Sequence, residues 1–128
     1  MVGKLNGNYM SKYSGTTGLH LIYSELIRAA RYRGLTTYQT IARIGGLPEM
    51  GNAMSAATGE VLGLIVQQER AEGRPMLSAV CVGVSGKPGE GFYALAKQLG
   101  VLTDDSKEAR EAFWRSELAA VYEAWRSP

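Results

Sequence analysis

The stretch LTTYQTIARIGGLPEMGNAMSAAT, residues 35–58, decides how the rest of the chain is read. Thr37 is a capping residue placed ahead of a short apolar face made by Tyr38, Ile41 and Ala42, which runs to Ile44. Gly45-Gly46 ends that helix, and Pro48 blocks its continuation because proline lacks the amide proton a helix needs. A new helical period begins at Met50. Ala53, Met54 and Ala57 lie on one side of it, while Asn52, Ser55 and Ala56 are short enough to approach another surface closely. Two helices around a Gly-Gly-Leu-Pro turn form a helix-turn-helix.

Upstream, residues 1–18 are rich in Gly, Ser, Asn and Lys and have no period, so they read as a flexible arm. A helix beginning near Thr17 carries Leu19, Ile22, Leu26 and Ala29/Ala30 on one stripe and ends at Gly34 as its C′ residue. Downstream, Thr58-Gly59 marks a break before the stripe Val61, Leu62, Ile65 and Val66; one helix over 50–72 is the alternative. Met76–Val84 has strand composition between Pro75 and a Ser-Gly-Lys-Pro-Gly turn. Phe92–Leu99 fits a short helix ending at Gly100, or partly a second strand. Residues 104–126 form a long helix with Trp114, Leu118, Val121 and Trp125 as its inner stripe and Asp104, Asp105 and Ser106 as cap candidates. The expected fold is α+β and mostly helical. After the arm, residues 19–128 form one winged helix-turn-helix-like domain with a short β-hairpin or wing and a long C-terminal helix.

Composition narrows the function. One cysteine and one histidine in 128 residues build neither an internal disulfide nor a four-ligand zinc site. No window approaches the ~20 apolar residues of a membrane helix and no export signal is visible, so a cytoplasmic setting is expected, with no membrane partner. Cys81 lies between Val80 and Val82, in a run suited to burial rather than nucleophilic chemistry. Gly89-Glu90-Gly91-Phe92-Tyr93-Ala94 fits a dinucleotide fingerprint by letter only, since no second parallel strand follows and the strand ends five residues earlier. No catalytic residue, cofactor or metal is expected. An enzyme using Cys81, or Ser78 with Glu60 or Glu69, would need convergence that no spacing imposes. Charge is uneven: residues 1–48 carry a net +5 and residues 49–128 a net −3, which points the amino half toward a polyanion.

Residues 35–58 resemble the DNA-binding domain of the DNA alkyltransferases and alkyltransferase-like proteins. That family has a TTYGxIAxxxGxP stretch followed by a recognition helix reading roughly AARAVGxAL. Thr37-Tyr38, Ile41-Ala42, Gly45/Gly46, Pro48, Ala53 and Ala57 match without a gap. The resemblance implies a winged-helix scaffold and DNA contact. It does not extend to alkyl transfer. The family's PCHR tetrad falls near Ser78-Ala79-Val80-Cys81, where proline, histidine and arginine are missing, and its intercalating arginine is replaced by Asn52. Tyr38 matches the tyrosine that helps rotate a nucleotide in the family, but without its arginine and cysteine partners base flipping is not carried over.

The expectation is therefore a non-enzymatic protein that contacts duplex DNA. Arg28, Arg31, Arg33 and Arg43 serve phosphates, aided by Lys4 and Lys12; Tyr38, Gln39, Asn52, Ser55 and Thr58 border the groove; Lys87 stands at the wing tip. The alternative is a protein–protein module, a homodimer or a partner-binding domain, that uses the C-terminal helix and its tryptophans as anchors.

Overall fold

A computed structural model describes residues 11–127. Five helices, α1 (Thr17–Arg31), α2 (Tyr38–Gly45), α3 (Gly51–Ala71), α4 (Glu90–Gln98) and α5 (Lys107–Ala124), surround a central segment. That segment is a single 3-10 turn, Leu77–Val80, followed by a two-residue strand, β2 (Cys81–Val82). β2 pairs in parallel with β1 (Thr36–Thr37), Thr36 opposite Cys81 and Thr37 opposite Val82. The chain is mostly helical, as expected. Of the expected arm, residues 1–10 lie outside the described residues, residues 11–16 form turns, and Thr17 opens α1.

The helix ends follow local chemistry. Thr16 Oγ1 accepts from Leu19 N at 3.2 Å and starts α1. Thr37 Oγ1 accepts from Thr40 N at 3.1 Å and starts α2. Gly46 closes α2 at φ 71°, with Leu47 N donating to Ala42 O at 2.8 Å. The end of α1 differs from expectation. The left-handed residue is Arg33, at φ 55°, and not Gly34. Gly34 N reaches Ala29 O at 2.9 Å, completing the cap one residue later. Arg33 is held there by its guanidinium lying 5.2 Å from the centre of the Tyr122 ring, and the Tyr122 hydroxyl donates to Gly34 O at 2.7 Å.

Three further expectations are corrected. No break occurs at Thr58-Gly59: α3 is one helix. Thr58 Oγ1 donates to Met54 O at 2.8 Å within the helix, and burial of Val61, Ile65 and Val66 outweighs the ~1 kcal/mol that each of Gly59 and Gly63 costs. Met76–Val84 is not one strand. Side chains of α5 take up its backbone groups: Glu117 Oε2 accepts from Met76 N at 2.8 Å and Trp114 Nε1 donates to Ala79 O at 2.9 Å. Ala79 N meanwhile bonds Met76 O at 3.0 Å in the 3-10 turn, leaving two residues for the sheet. The short sheet is parallel, so the expected β-hairpin is not formed among the described residues.

The central segment is the middle of the core. Met76, Leu77, Ala79, Val80 and Cys81 are buried between α1, α3 and α5. The C-terminal stripe is used the same way: Trp114 and Val121 are buried, and Leu118 and Trp125 pack against them. Among the described residues, one charge lies inside. Glu69, fully buried on α3, accepts from Arg74 Nε and Nη2, both at 2.9 Å, and from the Tyr23 hydroxyl. Arg74 in turn lies 5.0 Å from the centre of the Trp125 ring, so one ion pair links α1, α3 and α5.

α2 is set against α1 by two glycines. A Cβ on Gly18 would lie 2.5 Å from Gly45 O, and one on Gly45 would lie 2.4 Å from Ile22 Cδ1. The helices cross where neither has a side chain, which fixes the direction in which the α2–turn–α3 unit projects.

Candidate nucleic-acid interface and the adjoining groove

The second half of α3 is core; on its first two turns one side is open. Asn52, Ala53, Ser55 and Ala56 are all exposed, small and uncharged. At 100° per residue they cover an arc of roughly 160° on the first two turns. Beside them on α2 stand Gln39 and Arg43. Gln39 Nε2 donates to Glu49 O at 3.3 Å, and Arg43 Nε pairs with Glu49 Oε1 at 3.2 Å, both groups well exposed. Glu49 thus sits in the turn as a counterion for α2.

The other sequence-selected residues fall in three places. Arg28, Arg31 and Arg33 lie at the far end of α1 from the α1–α2 crossing, some 20 Å from Gly18 at 1.5 Å per residue. Arg28 pairs with Glu25 at 2.8 Å, Arg31 Nη2 donates to Ser127 Oγ at 3.0 Å, and Arg33 stacks on Tyr122. The basic residues therefore form two patches, one at Arg43 and one at the α1–α5 end. Lys87 lies in the turn closed by Gly83 N donating to Lys87 O at 2.9 Å, and its ammonium pairs with Glu111 on α5 at 2.8 Å. Lys12 lies over the Tyr13 ring, 5.3 Å from its centre; Lys4 is outside the described residues.

Tyr38 and Thr58 are not on the open face. Both border a groove of about 630 Å³ between α3 and α4. Met54, Ser55 and Leu62 form one wall, Phe92 and Leu95 the other. The Tyr38 hydroxyl accepts from Gly89 N at 2.8 Å. Burial pushes its phenol up to about 12, against the opposing pull of the Gly89 N–H. Ser78, 4 % exposed, contributes to the groove, and its hydroxyl has no hydrogen-bond partner among the described residues. Such an orphan calls for a reason.

The sequence reading missed this groove. Its signal was present as small residues at helical spacing: Gly59 and Gly63 on α3 and Gly91 and Ala94 on α4 all line it. Gly59 reads as part of a break, Gly63 as a glycine tolerated within a long helix and Gly91 as part of a nucleotide fingerprint, because the role of each is legible only once the two helices face each other.

Two of the groups considered for nucleophilic chemistry, Cys81 and Glu69, are engaged in the core. Cys81 is fully buried, and burial drives its thiol well above the usual range, with Glu25 adding to the effect. His20 is exposed on α1. Glu69 is occupied by Arg74 and Tyr23, so it is not available to Ser78. Among the described residues no group of three or more His, Cys, Asp or Glu is placed to hold a metal ion, and no helix is long and apolar enough to cross a membrane. No protein-family model, curated protein or solved structure is significantly similar to the chain.

Proposed function

We propose that the α2–turn–α3 unit contacts duplex DNA as a helix-turn-helix, without catalysis. The observation that carries this reading is the exposed first half of α3, where Asn52, Ala53, Ser55 and Ala56 leave a helix surface thin enough to enter a major groove. Gln39 and Arg43 flank it. The pairs Arg43–Glu49 and Arg28–Glu25 are exposed on the arginine side and screened by solvent, so a phosphate competes for the same guanidinium at little cost. The two basic patches, Arg43 and the arginines at the far end of α1, would meet separate stretches of the duplex backbone. In this reading the loop closed at Gly83 and Lys87 acts as the wing; Lys87 stands at its base, paired with Glu111, and not at the tip that the sequence suggested.

The resemblance of residues 35–58 to the alkyltransferase DNA-binding domain supports the same assignment. The competing protein-module reading has less to stand on, because the tryptophans that would anchor a partner are packed internally.

Fluorescence anisotropy with a labelled duplex tests the proposal. Four to six phosphate contacts give a log–log salt slope of ~−0.9 per contact. Arg31→Glu with Arg43→Glu should abolish binding while leaving the fold intact. No binding at low salt, or binding indifferent to this pair, overturns the reading. Self-association in light scattering, with no DNA binding, would favour the protein module.

A further inference from the structure

We propose that the groove between α3 and α4 binds an uncharged, largely apolar small molecule through a carbonyl oxygen held by Ser78. Of the central segment 76–82, Ser78 alone lines the groove. It is 4 % exposed, and its hydroxyl has no hydrogen-bond partner among the described residues. A buried hydroxyl in that state forfeits the hydrogen bond that water would give it, and a ligand oxygen restores it. For packing alone, alanine would serve better at this position.

The walls define the rest of the ligand. The rings of Tyr38 and Phe92 and the side chains of Leu62 and Leu95 offer apolar surface. A groove of about 630 Å³ is of the size that takes a small organic molecule. No lysine, arginine or histidine lines it among the described residues, so an anionic group would be desolvated there without a counter-charge. Its two carboxylates already have partners: Glu90 pairs with Arg110 at 2.8 Å and Glu60 accepts from the Ser11 hydroxyl. A neutral molecule with one hydrogen-bonding oxygen on an apolar body meets all of these conditions. Three glycines supply the depth. A Cβ built on Gly59, Gly63 or Gly91 meets nothing within 4 Å, although all three stand in helices, where glycine is disfavoured. The space their missing side chains leave is the space the ligand body takes. This inference does not rest on the DNA reading, and its test contains no nucleic acid.

The test titrates the full chain with prodan, an uncharged naphthyl ketone whose fluorescence reports both an apolar surrounding and a hydrogen bond at its carbonyl. Saturable binding to a single site is expected. Gly63→Leu fills the groove and removes a glycine from the middle of α3, so it should keep or raise the melting temperature while weakening prodan binding about tenfold or more. Ser78→Ala should bind prodan about fivefold more weakly, with the bound emission shifted to the blue, and should melt no lower than wild type. The naphthoate that carries a carboxylate in place of the ketone should bind about tenfold more weakly than prodan. No saturable binding, binding that survives Gly63→Leu, binding and emission unchanged in Ser78→Ala, or equal binding of the naphthoate overturns the proposal. A lowered melting temperature for Gly63→Leu also overturns it, because the space beside Gly63 would then not be open.

Discussion

The Tyr38 hydroxyl accepts a hydrogen bond from Gly89 N at 2.8 Å, joining the first turn of α2 to the cap of α4 across 51 residues of sequence. Gly89 supplies no side chain of its own to cap α4, so the phenol is what holds the Gly-rich turn against α2. A tyrosine that the sequence offered for nucleic-acid contact thus has a structural partner.

Tyr38→Phe strands the Gly89 N–H and should lower stability by about 1–2 kcal/mol at neutral pH, read by urea denaturation. The pH dependence gives the sign. The folded phenol ionises near pH 12 and the unfolded one near 10, so the wild type's contribution is complete below pH 10 and is lost as pH rises toward 12. The gap between wild type and Tyr38→Phe should therefore shrink across that window. A gap constant from pH 8 to 12 contradicts this.

Gly18→Ala should destabilise by roughly 2–3 kcal/mol, because its methyl meets the carbonyl oxygen of Gly45, which moves only if α1 and α2 separate. Gly45→Ala meets the tip of the Ile22 side chain and should cost less. Thermal melts of the two variants give the order; equal costs would place the crossing elsewhere.

Arg74→Met leaves the Glu69 carboxylate buried without its cation and should cost about 3 kcal/mol. Replacing both, Glu69→Leu with Arg74→Met, should recover most of that loss, since no charge is then left inside. A double variant no better than the single one would show that the pair matters through geometry rather than charge.

Cys81 should react with a thiol reagent only through unfolding. The rate in native buffer should be independent of reagent concentration at high reagent and should rise with sub-denaturing urea. Fast, reagent-dependent modification of the folded protein would contradict its burial.

The helices α2 and α5 were legible because they depend on local signals: Thr37 and Ser106 cap as their residue types demand, and Gly46 takes the left-handed turn that ends α2. The central segment was not legible. Its β-rich composition reflects burial, and the choice between strand and 3-10 turn is made by Glu117 and Trp114, some 35 to 41 residues away. The arginines show the same limit. Sequence placed Arg28, Arg31, Arg33 and Arg43 together, whereas the direction of α1 separates Arg43 from the rest. The groove depends wholly on how α3 and α4 face one another.

The central claim is that the open first half of α3 faces DNA. The direct measurement is duplex affinity, by anisotropy at low salt, of Ser55→Glu against Ser116→Glu, an equal charge change at an exposed position on α5. The account predicts that Ser55→Glu weakens binding by tenfold or more, about 1.4 kcal/mol, while Ser116→Glu binds like wild type. Equal affinity for the two variants would contradict it.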